Sequence, residues 1–399
     1  MKNIGNNIII TTISIKDGRL CHGLQIDSHD YMVETELSDN VIEYAVTDRI
    51  DSIVMGLLMF AIRNGYDFVS ELPITDSLLY NIQNHFINAI VGDSNLHKVT
   101  ITCPTCPKLQ QKGDIVSTGV SCGVDSLYTI LQHRNENVPS DHRLTHLTFM
   151  DIGSHHNHAG KSTPPLYNER KKHIVQYCKE INIPLIEIKS NLPDIINEID
   201  PNKYSHLNYH SFMALFAILN IAAGVSRYYY SSGYSYREFT CIYPEHGDIG
   251  ASAFDLLTMY VASYGSTHFS PFGGDRTRVE KVKLIAEHPH DASFLDVCID
   301  SATNCGKCFK CRRTLLEIDA IGKLDVFTTA FNIDKYIKDK SDILAWLYVQ
   351  HLNGDSFAEE IMPYFKFSFM FKVKTIIKRI YWVIKNKIYI LVKNRNIQT

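Results

Sequence analysis

Apolar and polar positions recur along the chain at two periods, and the shift between them divides it. Ile8 to Ile15 and Tyr31 to Glu36 read as strands around a polar turn, Lys16-Asp17-Gly18. Ile50, Ile53, Leu57, Leu58 and Ala61 fall at helical spacing and predict a helix over 48–65. Thr75 to Ile90 reads as a second helix, with Thr75 as its cap and Leu78, Ile82 and Ile87 on one face. From Gly113 onward short β-type runs alternate with helical patterns. Strands are expected at 114–120, 142–152, 185–189 and 226–232. Helices are expected from Val124 and over 168–182, 255–265 and 276–287. Ser211 to Gly224 is apolar nearly all round and reads as a buried helix. Such alternation indicates α/β architecture, a mainly parallel, doubly wound sheet with helices on its faces. The expected division is an accessory α+β domain over 1–110, an α/β domain over 111–327 and a helical region over 328–399.

One strand-to-helix turn stands out chemically. The run that ends near Val120 enters Ser121-Cys122-Gly123-Val124-Asp125-Ser126, and a helical pattern follows at once. The first N–H groups of a helix lack internal partners, and the helix dipole adds positive charge there, so such a turn suits an anion. Gly119 and Gly123 are expected to let backbone approach a ligand closely, and Ser121 and Ser126 to offer hydroxyls to phosphate oxygens. No Gly-Lys-Ser/Thr closes the turn, which excludes a Walker A loop. An ordinary connection of small residues is the plainer alternative. Downstream, Arg276, Arg278 and Lys281 place three cations within six positions, an expected contact for a triphosphate or acidic substrate. Tyr234, Arg237 and Glu238 follow the 226–232 strand and are further candidate substrate contacts.

A second signal is metal-like. Cys298, Cys305, Cys308 and Cys311 are spaced C-x6-C-x2-C-x2-C. Four thiolates close a tetrahedron about zinc and leave no open position, so the ion is expected to be structural. An iron–sulfur cluster takes the same ligands. Gly306 is expected to ease the turn, and Arg312 and Arg313 to offset the thiolate charge. Cys103 and Cys106 form a lone CxxC and read as an incidental pair. His155, His156 and His158 lack the spacing of a helix-borne zinc site and read as a loop framing the nucleotide.

The turn at Ser121 resembles the Ser-Gly-Gly-x-Asp-Ser PP-loop of the N-type ATP pyrophosphatases and departs from it at Cys122. If that position needs positive φ, cysteine is strained there. A PP-loop followed far downstream by one cysteine and then CxxCxxC resembles the 7-cyano-7-deazaguanine synthases, over about Gly113 to Phe327. The resemblance implies a sheet of the adenine nucleotide α-hydrolase type with a zinc-binding C-terminal subdomain. It implies a ligase that cleaves ATP to AMP and pyrophosphate with Mg²⁺, adenylating a small-molecule carboxylate for attack by ammonia or an amine. It implies that Ser121, Gly123, Asp125 and Ser126 hold the pyrophosphate end, and that the four cysteines hold Zn²⁺. Cys122 and Val124 complete the nucleotide loop on this reading, with Asp125, Ser126 and Lys281 as catalytic candidates. Two alternatives stay open: a tRNA or RNA thiolation enzyme, and a non-catalytic nucleotide-binding partner in a defence or modification complex. The acceptor on the leading reading is an amine, a protein or a nucleotide, and a homodimer is among the expected assemblies.

Charge changes the picture in one place. The chain is nearly neutral, at −3, which gives no reason to expect a nucleic-acid binder. Residues 366–399, however, hold nine Lys or Arg and no acid, while the remainder holds 31 Lys or Arg against all 43 acids. Phe369, Val373, Ile376, Ile377, Ile380, Ile384, Ile388 and Leu391 recur there near helical spacing. A basic amphipathic helix is expected, able to meet an anionic membrane or an acidic partner. With no leader pattern, no run of 18 apolar residues and ten cysteines, the expected location is cytoplasmic, or peripheral to a membrane.

Overall fold

A computed structural model of the chain describes residues 6–92, 94–154, 164–244, 249–265, 267–377 and 379–380. Its strands are β1 Asn6–Lys16, β2 Arg19–Ile26, β3 His29–Leu37, β4 Tyr66–Ser70, β5 Ile74–Thr75, β6 Ile101–Thr102, β7 Thr105–Cys106, β8 Ile115–Gly119, β9 His146–Asp151, β10 Leu185–Ser190, β11 Val225–Ser231 and β12 His268–Phe272. Its α-helices are α1 Asp51–Asn64, α2 Asp76–Asn81, α3 Ile87–Val91, α4 Val124–His133, α5 Pro164–Glu180, α6 Leu192–Ile199, α7 His206–Leu219, α8 Asp255–Ala262, α9 Arg278–Ala286, α10 Pro289–Ser293, α11 Phe309–Ala320, α12 Ile333–Leu352 and α13 Ser356–Ile361. Contacts divide the chain into two units, Met1–Arg276 and Thr277–Thr399.

The first unit is α/β, built on a mostly parallel ten-stranded sheet of order β12-β11-β8-β9-β10-β3-β2-β1-β4-β6. Numbered along the chain, the strands from β8 to β12 lie as 3-2-1-4-5, a doubly wound order. All four pairings among them are parallel. The N-terminal residues do not form a separate sheet. β1, β2 and β3 make an antiparallel meander, and β3 pairs antiparallel with β10 through Leu37↔Ile188, Glu36↔Lys189 and Thr35↔Ser190. Asn191 locks this seam, accepting from the Glu34 N–H at 2.8 Å and donating to the Met32 carbonyl at 3.0 Å. The division therefore falls at residue 276, and 1–110 shares one sheet with the strands that follow.

Burial explains which elements the sequence pattern reveals. α1 is buried from Asp51 to Ile62 and packs on α7, which is buried from Ser211 to Leu219. β2 is buried on nearly every residue, so it shows no alternation and is absent from the sequence expectation. β12 carries Pro271, which a central strand would reject, but β12 is a sheet edge. The helix expected over 75–90 is broken into α2, a π-turn over Ile82–Phe86 and α3. Thr75 does not cap it with its side chain. Its hydroxyl instead donates to the buried Asp51 carboxylate at 2.6 Å.

The second unit is helical, with α9, α11, α12 and α13 enclosing Ile285, Leu315, Leu316, Phe327, Tyr336 and Leu347. Glu317, fully buried, pairs with Arg278 at 3.1 Å and Arg313 at 3.7 Å. Among the described residues no helix is long and apolar enough to cross a membrane.

One buried group makes the first unit acid-sensitive. His22 of β2 is fully buried, with Nε2 3.3 Å from the Ser52 hydroxyl and its ring tilted against Phe216. Burial lowers its pKa from 6.5 to about 4. Above pH 6.5 both folded and unfolded forms hold it neutral, and its contribution is intact. As pH falls from 6.5 to about 4 only the unfolded chain takes the proton, so about 3 kcal/mol is lost across that window. Urea denaturation across this window should show that slope, and His22→Gln, which does not titrate, should flatten it.

Candidate functional site

The reversal of strand order beside β8 fixes where the first unit can hold a ligand. Chains leaving β8 and β11 diverge, and the crevice opens at their C-terminal ends. The turn Ser121 to Ser126 occupies this place. Val120 donates its N–H to the Thr148 carbonyl of β9 at 2.9 Å and ends the strand pairing. Cys122 then takes φ +54°, a left-handed conformation that cysteine rarely adopts. Its side chain is fully buried. Gly123 is extended at φ −75° and is the N-cap of α4. The left-handed residue is thus Cys122 rather than either glycine.

Internal hydrogen bonds set the turn. The Ser121 N–H donates to Ser126 Oγ at 3.1 Å, and the Gly123 N–H to Ser121 Oγ at 3.3 Å. No side chain caps the start of α4. Ser121 is exposed and Asp125 half-buried. A Cβ at Gly119 would sit 3.2 Å from the Tyr228 hydroxyl, so the close approach at Gly119 is made by Tyr228. A hydroxyl chain ties α4 to the sheet: Ser231 donates to Thr129 at 2.9 Å, and Thr129 donates to the Asp125 carbonyl at 2.9 Å. Thr118 donates to the Tyr229 carbonyl at 2.8 Å.

The neighbouring edge adds groups that the sequence did not suggest. α7 begins at His206, five residues earlier than its apolar pattern, and so carries His210. His210 Nδ1 bonds the Tyr230 hydroxyl, and its Nε2 lies 3.0 Å from Ser252 Oγ. Burial, then the Asp255, Tyr228 and Asp125 charges, push the Tyr230 phenol well above its usual pKa. Asp125 of the turn is therefore within electrostatic reach of the Tyr230–His210 pair. The three residues come from two helices, α4 and α7, and a strand, β11, and no local motif joins them. After β11, Glu238 accepts from the Ser235 N–H at 3.0 Å in a capping box, which gives it a structural task. Tyr234 and Arg237 are exposed.

The basic run is split between the units. Arg276 ends the first and lies beside Asp275 at 3.3 Å. Arg278 and Lys281 belong to the second and are buried. Arg278 neutralises Glu317, and the start of α9 already receives a carboxylate. Glu360 accepts from the N–H groups of Arg278 at 3.2 Å and Val279 at 2.6 Å. These contacts give Arg278 an internal ion-pairing role. Residues 155–163, with His155, His156 and His158, lie outside the described residues.

In the second unit Cys298, Cys305, Cys308 and Cys311 bring their sulfurs within 4.8 Å of one another. They are the only such group among the described residues, and Cys103 and Cys106 gather no further ligands there. A zinc tetrahedron with bonds of about 2.3 Å has edges of about 3.8 Å, and Cys305 and Cys311 stand 4.0 Å apart. The four cysteines can hold one zinc ion. Gly306, at φ +68°, turns the chain so that the N–H groups of Lys307 and Cys308 both reach Cys305 Sγ at 3.3 Å. The Cys311 N–H reaches Cys308 Sγ at 3.4 Å. Asn304 anchors the loop, accepting from the Val297 N–H and donating to the Leu295 and Ala330 carbonyls. Burial pushes the Cys298 thiol up, but hydrogen bonds from Ser301 and from the Cys305 and Asp300 backbone bring it down to about 7. Burial raises the Cys308 and Cys311 thiols. Arg313, expected to offset the thiolate charge, has a carboxylate partner of its own. It pairs with Glu317 and stacks 3.9 Å from the Phe357 ring centroid.

Comparison with family models, with curated proteins and with solved structures gave no match.

Two outcomes test the geometry. Cys122→Gly should change urea stability by no more than about 1 kcal/mol, because relief of left-handed strain offsets the lost burial. Cys122→Val should cost about 2 kcal/mol or more, since a β-branched residue cannot relax there. Elemental analysis should find about one zinc per chain, and Cys308→Ser should lower it well below that and reduce Tm by several degrees.

Proposed function

We propose that the chain is an ATP pyrophosphatase of the PP-loop type that adenylates a carboxylate and forms a C–N bond. The observation that carries this reading is the conformation of Cys122. It takes a left-handed φ, which glycine adopts most readily, at the position where the Ser-Gly-Gly-x-Asp-Ser motif has glycine, and this supports the reading. The doubly wound strand order and the place of the turn at the reversal support a sheet of the adenine nucleotide α-hydrolase type.

On this reading the α4 N-terminus and the Ser121 and Ser126 hydroxyls receive the pyrophosphate end of ATP. Asp125 is the carboxylate that the turn offers to Mg²⁺, which supplies charge neutralisation when bound. The substrate carboxylate attacks the α-phosphorus and expels pyrophosphate. Ammonia or an amine then attacks the acyl carbon, and AMP leaves. That step releases a proton, and His210, held by Tyr230 and Ser252, is the group we assign to accept it. Zinc in the second unit has a structural task, because four thiolates leave it no open position. Cys122 is fully buried, which disfavours a sulfur-carrier role and with it the RNA-thiolation alternative.

The test is pyrophosphate release from ATP in the presence of a panel of carboxylic acids and ammonia. One acid should give AMP and pyrophosphate in equal amounts. Asp125→Ala should lower the rate by about 10² or more with Tm unchanged, and Ser126→Ala should lower the rate as much and also reduce Tm, because Ser126 Oγ accepts the Ser121 N–H. His210→Asn should slow amide formation while leaving nucleotide affinity intact. Appearance of ADP and phosphate instead would overturn the assignment.

A further inference from the structure

The last helix described in the second unit faces the wrong way for a soluble surface. Residues 369–377 and 379–380 are helical. Thr375 is buried, and the helix side it shares meets the unit. The Lys372 ammonium lies 5.9 Å from the Tyr348 ring centroid, Arg379 donates to Asn353 at 2.7 Å, and Phe367 packs on Tyr348 just before the helix. The opposite side carries the apolar residues. Phe369 is 78% exposed, Met370 60%, Ile377 60% and Ile380 53%, with Ile376 beside them. These positions repeat at helical spacing, so they form one stripe. A helix that packs on its domain normally turns such a stripe inward. Here the stripe is left in water while a threonine is buried.

Charge says what covers it. Residues 366–399 contain nine Lys or Arg and no acid. Within the described part of this segment Lys366 and Lys374 are exposed. Cations with exposed aromatic and aliphatic residues are the composition of a helix that lies in the interface of an anionic bilayer. An acidic protein partner would answer the cations but leave the apolar stripe in water. A bilayer takes the stripe into its acyl boundary and the exposed Lys366 and Lys374 to its phosphates, while Lys372 and Arg379 stay on the unit. The proposed contact is a helix lying on the bilayer, and among the described residues no helix is long and apolar enough to cross it.

We propose that this face docks the protein on an anionic lipid surface, independently of the chemistry at α4. The test is co-sedimentation of the full chain with phosphatidylcholine vesicles, with and without phosphatidylglycerol. The chain should sediment with the anionic vesicles, at least tenfold more weakly with neutral ones, and progressively less as salt rises. Phe369→Ser with Ile377→Ser keeps every charge and touches only exposed side chains. It should weaken binding at least tenfold with Tm unchanged. No sedimentation with phosphatidylglycerol vesicles at low salt would overturn the proposal. So would equal binding by the double variant, or binding to soluble polyglutamate as tight as to vesicles, since either outcome marks an acidic partner.

Discussion

The sheet of the first unit reverses its strand order beside β8, and that topological constraint governs the candidate site. Backbone groups of a buried sheet must be paired, so β8 is held by β9 on one side and β11 on the other. The connections on either side leave in opposite directions, which opens a crevice above β8. The chain must nevertheless turn from β8 into α4 within Val120 to Gly123. It does so through one left-handed residue, Cys122, and leaves the first turn of α4 without a side-chain cap. The left-handed Cys122, the uncapped helix start and the hydroxyl chain from Ser231 to Asp125 all lie at that position.

The second unit solves a different problem. It is small and helical, with a fully buried carboxylate at Glu317 that two arginines neutralise. Its four cysteines tie the loop before α11 to the start of that helix, where Cys308 is the N-cap. An ion held there would bind the native fold and not the unfolded chain, and so would stabilise the unit. The buried Arg278 shows how a charge that reads as a ligand contact can serve as an internal counterion.

What was legible in the sequence follows from whether a signal is local. The Ser121–Ser126 turn and the cysteine cluster are consecutive or closely spaced residues, so their chemistry is readable before any fold is known. α1, α4 and the parallel strands show their periods because each buries one face or all of itself. β2 is hidden by burial on both faces, and β12 by Pro271, which only an edge tolerates. The β3–β10 seam joins residues about 150 positions apart, and nothing in either strand names its partner. The same holds for His210, Tyr230 and Ser252, which meet only because α7 starts at His206. Arg313 was read as a neighbour of thiolates from its place in sequence, whereas the helix turns it toward Glu317.

On the proposed reading the turn between β8 and α4 cradles the phosphates of ATP. Amide hydrogen exchange with and without α,β-methylene-ATP and Mg²⁺ reads those N–H groups directly and needs no knowledge of the acid substrate. The account predicts slowed exchange in the segment from Val120 through the first turn of α4, and loss of that protection in Asp125→Ala. Unchanged exchange there, with protection elsewhere in the chain, would contradict it.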